Sequence, residues 1–86
     1  MKVVFTKQFS KSFKKLDLVN KKRVNHALEA FDKNPFDVRL KNHGLIGDKR
    51  GFRSISAGFD LRIIFQEVDG YLLVVLVDVG THAKVY

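Results

Sequence analysis

The sequence contains no cysteine and no tryptophan, one proline and one methionine. Without cysteine there is neither a disulfide framework nor a thiolate metal site, and the chain suits a reducing cytoplasm. Long hydrophobic runs are missing too. The longest, Tyr71 to Val77, has the length of a strand and cannot span a bilayer. The apolar stretch Val3-Val4-Phe5 is too short for the core of a signal peptide. These absences predict a soluble cytoplasmic domain with no membrane segment. Acidic residues are also scarce: nine Asp and Glu face sixteen Lys and Arg, for a formal net charge of +7. In so small a chain that balance is the footprint of a polyanion binder. Two other readings stay open, a surface made basic for solubility and one neutralised by an acidic partner. Charge of this kind raises encounter rate and non-specific affinity but carries no sequence preference.

What is present organises as one domain over residues 1–86, small for a self-sufficient core but rich enough in apolar residues to be globular, with 45% hydrophobic residues and eight Phe. Lys2 to Phe5 reads as a first strand, after which the Thr6 hydroxyl is placed to cap a helix. Phe5, Phe9, Phe13 and Leu16 recur at helical spacing, so Lys7 to about Leu16 is expected to be an amphipathic helix whose aromatic stripe enters the core. Asp17 or Asn20 caps a second helix to about Lys33, with Val24, Ala27, Leu28 and Phe31 on its apolar face. The short break between the two stripes implies an antiparallel helix pair. Asn34-Pro35 ends the second helix, because proline lacks a donor and disfavours helix in the residue before it. Phe36 to Arg50 shows no period and reads as a basic loop. Three strands follow, Phe52 to Ala57, Leu61 to Glu67 and Tyr71 to Val79, joined at Gly58-Phe59 and at the hairpin signal Asp69-Gly70. The order β-α-α-β-β-β predicts an α+β fold, two helices on a mainly antiparallel meander.

Three histidines carry most of the chemical interest. His26 lies within the second helix and reads as structural or surface. His43 sits in the basic loop, and His82 follows the last strand. Imidazole changes charge near neutral pH, which makes His43 and His82 acid–base candidates. Cleavage of RNA at its 2′-hydroxyl requires a proton acceptor, a proton donor and positive charge at the phosphate, and no metal or cofactor. Arg53 and Arg62 fall on adjacent predicted strands and are expected close together across the hairpin. Each either forks a phosphate or pairs with Asp60, Glu67 or Asp78. No phosphate-binding glycine motif, metal-ligand spacing or helix-turn-helix arrangement is recognisable.

Asn42-His43-Gly44-Leu45, Gly51-Phe52-Arg53-Ser54, Asp60-Leu61-Arg62-Ile63-Ile64-Phe65 and Val79-Gly80-Thr81-His82 through Tyr86 together resemble the RelE/ParE toxin superfamily, most nearly its YafQ-like branch. The resemblance covers essentially the whole chain. It implies a toxin of a type II toxin–antitoxin system, a ribosome-dependent endoribonuclease that cuts mRNA and is held inactive by a cognate antitoxin protein. By position it assigns His82 as principal acid or base, His43 as second proton carrier, Arg53 to the scissile phosphate, Asp60 to tuning a histidine and Tyr86 to the nucleotide. Lys41, Lys49, Arg50 and Arg62 are expected along the nucleic-acid backbone. The chain departs from the branch in having Ser56 in place of a histidine, Leu61 in place of an aromatic, and Asp48 or Lys49 in place of a tryptophan. The same superfamily also implies two alternatives, a non-enzymatic inhibitor of DNA gyrase and a catalytically degenerate binding relative.

Overall fold

The computed structural model describes residues 1–86. Strand β1 (Lys2–Phe5) leads into α1 (Lys7–Lys14), and α2 (Leu18–Lys33) follows after a short break. The Thr6 side chain fixes the first junction. Its hydroxyl accepts from the Phe9 amide at 3.1 Å, capping α1, and lies within hydrogen-bond reach of the Leu76 and Val77 carbonyls. One residue thus caps a helix and ties it to the sheet. Of the two candidate caps for α2 the structure uses Asp17, which accepts from the Asn20 amide at 2.8 Å. The first helix stops near Lys14 rather than Leu16, and Leu16 still packs against the core.

The expected structureless loop is instead folded. A 3-10 turn at Val38–Leu40 buries Leu40, a two-residue strand β2 (His43–Gly44) joins the sheet, and a second 3-10 turn spans Gly47–Lys49. None of these is long enough to produce a readable hydrophobic period, so sequence pattern could not reveal them. Strands β3 (Arg53–Ser56), β4 (Leu61–Val68) and β5 (Leu73–Thr81) form the meander, and the last residues make a single helical turn α3 (His82–Val85). Tyr71, expected in the last strand, lies outside it. Asp69, Gly70 and Tyr71 all have positive φ, so the connection runs over Asp69–Leu72 instead of a two-residue turn.

The five strands lie in the order β1-β5-β4-β3-β2, with β1 parallel to β5 and every other pair antiparallel. One face carries the core: Phe9, Val24 and Phe31 from the helices meet Ile55, Leu61, Ile63, Phe65, Leu76 and Val79 from the strands. Phe31 and Phe65 pack edge to face with centroids 5.0 Å apart, a geometry that contributes about 0.5–1.5 kcal/mol beyond burial alone. A bulge sets the other face. Ile64 pairs with Asp78 but Phe65 pairs with Leu76, leaving Val77 as the extra residue. One extra residue flips the alternation of everything beyond it. Leu76 and Val79 therefore both point to the core, while Asp78 and Gly80 turn to the opposite face, where α3 sits.

Candidate functional site

Cross-strand partners share a face, as do residues two apart on one strand. His43 pairs with Ser54, Ser56 with Arg62, and Arg62 with Gly80. His43, Ser54, Ser56, Arg62 and Gly80 thus line one surface, the face of the sheet away from α1 and α2. The turn α3 covers one end of that surface. Its Val85 is 4% exposed, as is Ile64 on the same face of the sheet, and neither belongs to the main core.

Gly80 is what lets α3 come so close. A Cβ there would stand 2.9 Å from Lys84 Cδ and 3.3 Å from Val85 Cγ1. Thr81 caps the turn, and the His82 amide donates to the Asp60 carbonyl at 3.0 Å, so α3 is fastened to the β3–β4 turn. On its other flank Lys84 Nζ donates to Ser12 Oγ at 3.3 Å, and Ser12 Oγ donates to Asp78 Oδ1 at 2.6 Å. Positions 82 and 84 are about 200° apart around a helix. With Lys84 held against α1, His82 and Tyr86 occupy the opposite flank, over β4 toward β3. Their rings touch edge to face, centroids 4.3 Å apart.

The residues named from sequence separate into two groups. Asp60, Arg62, His82 and Tyr86 gather around α3 and the β3–β4 turn, and His43 lies on the same face two strands from Arg62. Its Nδ1 is 2.8 Å from the Lys41 carbonyl oxygen, which can only accept, so this contact requires a proton on Nδ1. Arg53 does not join them. Its partner is Phe65, three rungs from the Ser56–Arg62 pair, and it projects from the helix-bearing face. The expectation that Arg53 and Arg62 meet across the hairpin is therefore corrected by the register. At about 3.3 Å per residue, the four rungs from Phe65 to Leu61 put His82 more than about 13 Å along the sheet from Arg53. Arg53 instead braces the loop. Its Nε donates to Asn42 Oδ1 at 2.9 Å, and Asn42 Nδ2 reaches the Pro35 carbonyl and the Tyr71 hydroxyl. That network holds the segment before β2 onto the meander.

Arg62 is differently placed. Its Nη1 lies within reach of the Leu61 carbonyl at 2.9 Å, the Phe59 carbonyl at 3.3 Å and Ser56 Oγ at 3.4 Å. No carboxylate neutralises it, and the guanidinium keeps its remaining donors and its full charge. Lys41, Lys49 and Arg50 are exposed on the loop, beside β2 and the start of β3. The ion pair in the structure lies elsewhere: Asp37 accepts from Arg39, which holds the Asp37 carboxyl at about 2, below its ordinary 3.8, and raises Arg39. No group of three or more His, Cys, Asp or Glu side chains is arranged to hold a metal ion.

Two features of this region were not read from sequence. Phe59, in the turn between Gly58 and Asp60, is 93% exposed beside the Arg62 guanidinium. An aromatic between a glycine and an aspartate in a turn was the available signal. The other is Ser54, fully buried at the middle of the face, whose Oγ has no hydrogen-bond partner. Of the departures from the family pattern, Leu61 points into the core and Ser56 stays on the face as an acceptor for Arg62.

Solved structures with the same architecture are toxins. YafQ from E. coli strain BL21(DE3) is 23% identical, with a TM-score of 0.76 over 98% of this chain and 96% of that one. A YoeB/ParE toxin from Agrobacterium tumefaciens is 19% identical, with a TM-score of 0.77 over 95% of this chain and 99% of that one. YafQ in the E. coli DinJ-YafQ complex is 25% identical, with a TM-score of 0.70 over 98% and 96%. No curated protein sequence matches significantly. The profile described as the bacterial toxin of a type II toxin-antitoxin system, YafQ, matches residues 1–86, and on that match the chain belongs to the YafQ toxin family.

Proposed function

We propose that this toxin is a ribosome-dependent endoribonuclease that cleaves mRNA by acid–base attack of the 2′-hydroxyl, with no metal or cofactor in the step. The observation that carries the reading is the un-neutralised Arg62 guanidinium on the face covered by α3, the turn that carries His82 and Tyr86. A neutral base takes the 2′-hydroxyl proton as O2′ attacks phosphorus. The P–O5′ bond breaks, and a protonated acid gives its proton to O5′. The products are a 2′,3′-cyclic phosphate and a 5′-hydroxyl. His82 is assigned one of these two roles; His43, which the register places farther from His82 than Arg53 is, meets the RNA strand away from the reactive phosphate. Arg62 takes the part that resemblance gave to Arg53, meeting the charge that builds on the phosphate oxygens. Asp60 orients the His82 end through the backbone contact, Tyr86 and Phe59 present rings to bases, and Lys41, Lys49 and Arg50 hold the strand's backbone.

A cognate antitoxin is the second partner. The open edge of β1 and the apolar groove beside it, lined by Val3, Phe5, Phe9, Phe13 and Leu28, give such a chain apolar anchors. Lys7, Lys11, Lys14 and Lys15 flank that groove along α1 and favour an acidic segment.

The chemistry is tested by replacing the cleaved nucleotide of a reporter mRNA, in a translation extract, with its 2′-deoxy counterpart. Cleavage should stop at that nucleotide alone. Continued cutting there would rule out attack by the 2′-hydroxyl. A supercoiling assay with the same protein is expected to leave gyrase active.

A further inference from the structure

A second cationic feature lies around the β3–β4 turn from Arg62, in a cleft of about 290 Å³ between α2, the 3-10 turn at Val38–Leu40 and the end of β3. The cleft exists because its floor is built from small side chains, Ala27 and Ala30 on α2 and Ala57 after β3. Its rim is basic. The Arg23 stem lies flat across Gly58, where a Cβ would stand 3.3 Å from Arg23 Cδ. The guanidinium donates to Asn20 Oδ1 at 3.1 Å, a neutral acceptor that leaves its charge intact. His26, three residues along the same helix, is exposed and makes no side-chain hydrogen bond. Arg39 completes the rim but is already engaged by Asp37 and contributes less. No acidic side chain lines the cleft itself.

We propose that this cleft is a second phosphate subsite, in which Arg23 and His26 hold a backbone phosphate of the RNA strand next to the one at Arg62. The inference rests on the nuclease reading above. Ser56 provides the continuity: it lines the cleft while its hydroxyl accepts from Arg62 Nη1 at 3.4 Å, so the cleft begins where the cleavage face ends. An RNA strand repeats a phosphate at every nucleotide and is obliged to place one beyond the reactive position. The cleft is open to solvent, so it can take a phosphate while the rest of the strand continues past it. Guanidinium and imidazole N–H groups converging on an oxyanion are the matching chemistry.

The test compares the full-length wild type with an Arg23→Gln/His26→Gln variant, both changes lying on the exposed side of α2. Binding of an uncleavable 2′-O-methyl RNA octamer is followed by fluorescence anisotropy over a range of salt. The variant should bind about 5–10-fold more weakly at low salt, and its log–log salt slope should shrink by about 0.7 because one phosphate fewer is neutralised. In parallel, inorganic phosphate should shift the Arg23 Nε–H and Gly58 amide resonances of the wild type and leave the Gly58 amide of the variant unmoved. RNA binding with an unchanged slope in the variant overturns the cleft assignment alone. A wild type that binds no RNA overturns the nuclease reading along with it. A loss confined to poly-glutamate, with RNA binding intact, assigns the cleft to an acidic protein partner and also overturns the proposal.

Discussion

Phe59 and Arg53 show how differently two side chains near one site can be used. Phe59 contributes nothing to the core, since 93% of it is in water, yet it stands beside the Arg62 guanidinium. A ring in that position is available to stack on a base, and such stacking contributes about 1–3 kcal/mol per base in single-strand binders. Phe59→Ala should therefore weaken RNA binding by roughly 5–150-fold while leaving the melting temperature unchanged. Unaltered affinity by anisotropy would remove Phe59 from the site. Arg53 should behave in the opposite way. Removing its guanidinium leaves the half-buried Asn42 carbonyl without its donor, a loss of about 1 kcal/mol. In a domain of this size that lowers the melting temperature by roughly 4–8 °C, read by thermal denaturation of Arg53→Ala. Cleavage per folded molecule should stay within a few-fold of wild type, and a loss as large as that from removing a charge at the phosphate would restore Arg53 to the site.

Among the elements, α3 depends most on its neighbours. A four-residue helix is too short to be stable alone, so its place is set by Val85 against the sheet, by the Asp60 carbonyl and by the Lys84–Ser12–Asp78 chain. Gly80→Val puts side-chain atoms where Lys84 and Val85 now lie and should release α3 without opening the sheet. In NMR spectra the contacts between the His82 turn and Asp60 should vanish while those between β3 and β4 persist, and cleavage should fall with them. Retained contacts would show that α3 docks without the close approach. The same elements explain what sequence could and could not reveal. Helices α1 and α2 and strands β4 and β5 carry strong periods and caps, and all were recognisable with ends off by about two residues. The two-residue β2, the 3-10 turns and α3 are shorter than any period. The bulge at Val77 is a matter of register, which no count of residues between turns determines. The misplacement of Arg53 has the same source. Three rungs separate the two arginines, and a one-residue difference in parity places them on opposite faces.

At the scale of the whole molecule, the sheet divides two kinds of work. One face builds the core with α1 and α2, and the other carries His43, the free Arg62 guanidinium and the docked turn α3. The net charge of +7 is spread over α1, α2 and the loop, which suits encounter with a polyanion from many orientations. No helix is long and apolar enough to cross a membrane. Family membership was legible because its motifs span the chain in order, although each is short. The candidate residues His43, Asp60, Arg62, His82 and Tyr86 could be named from the sequence, but their placement follows from the register and the docking of α3.

His82 and Arg62 are proposed to act together on one phosphate from the face that α3 covers. The most direct test of this joint action is cleavage of a reporter mRNA in a translation extract by wild type, His82→Ala and Arg62→Ala at equal folded concentration. His82→Ala should lower the rate by about 10²–10⁴-fold and Arg62→Ala by about 10²–10³-fold. Full-rate cleavage by either variant would contradict it.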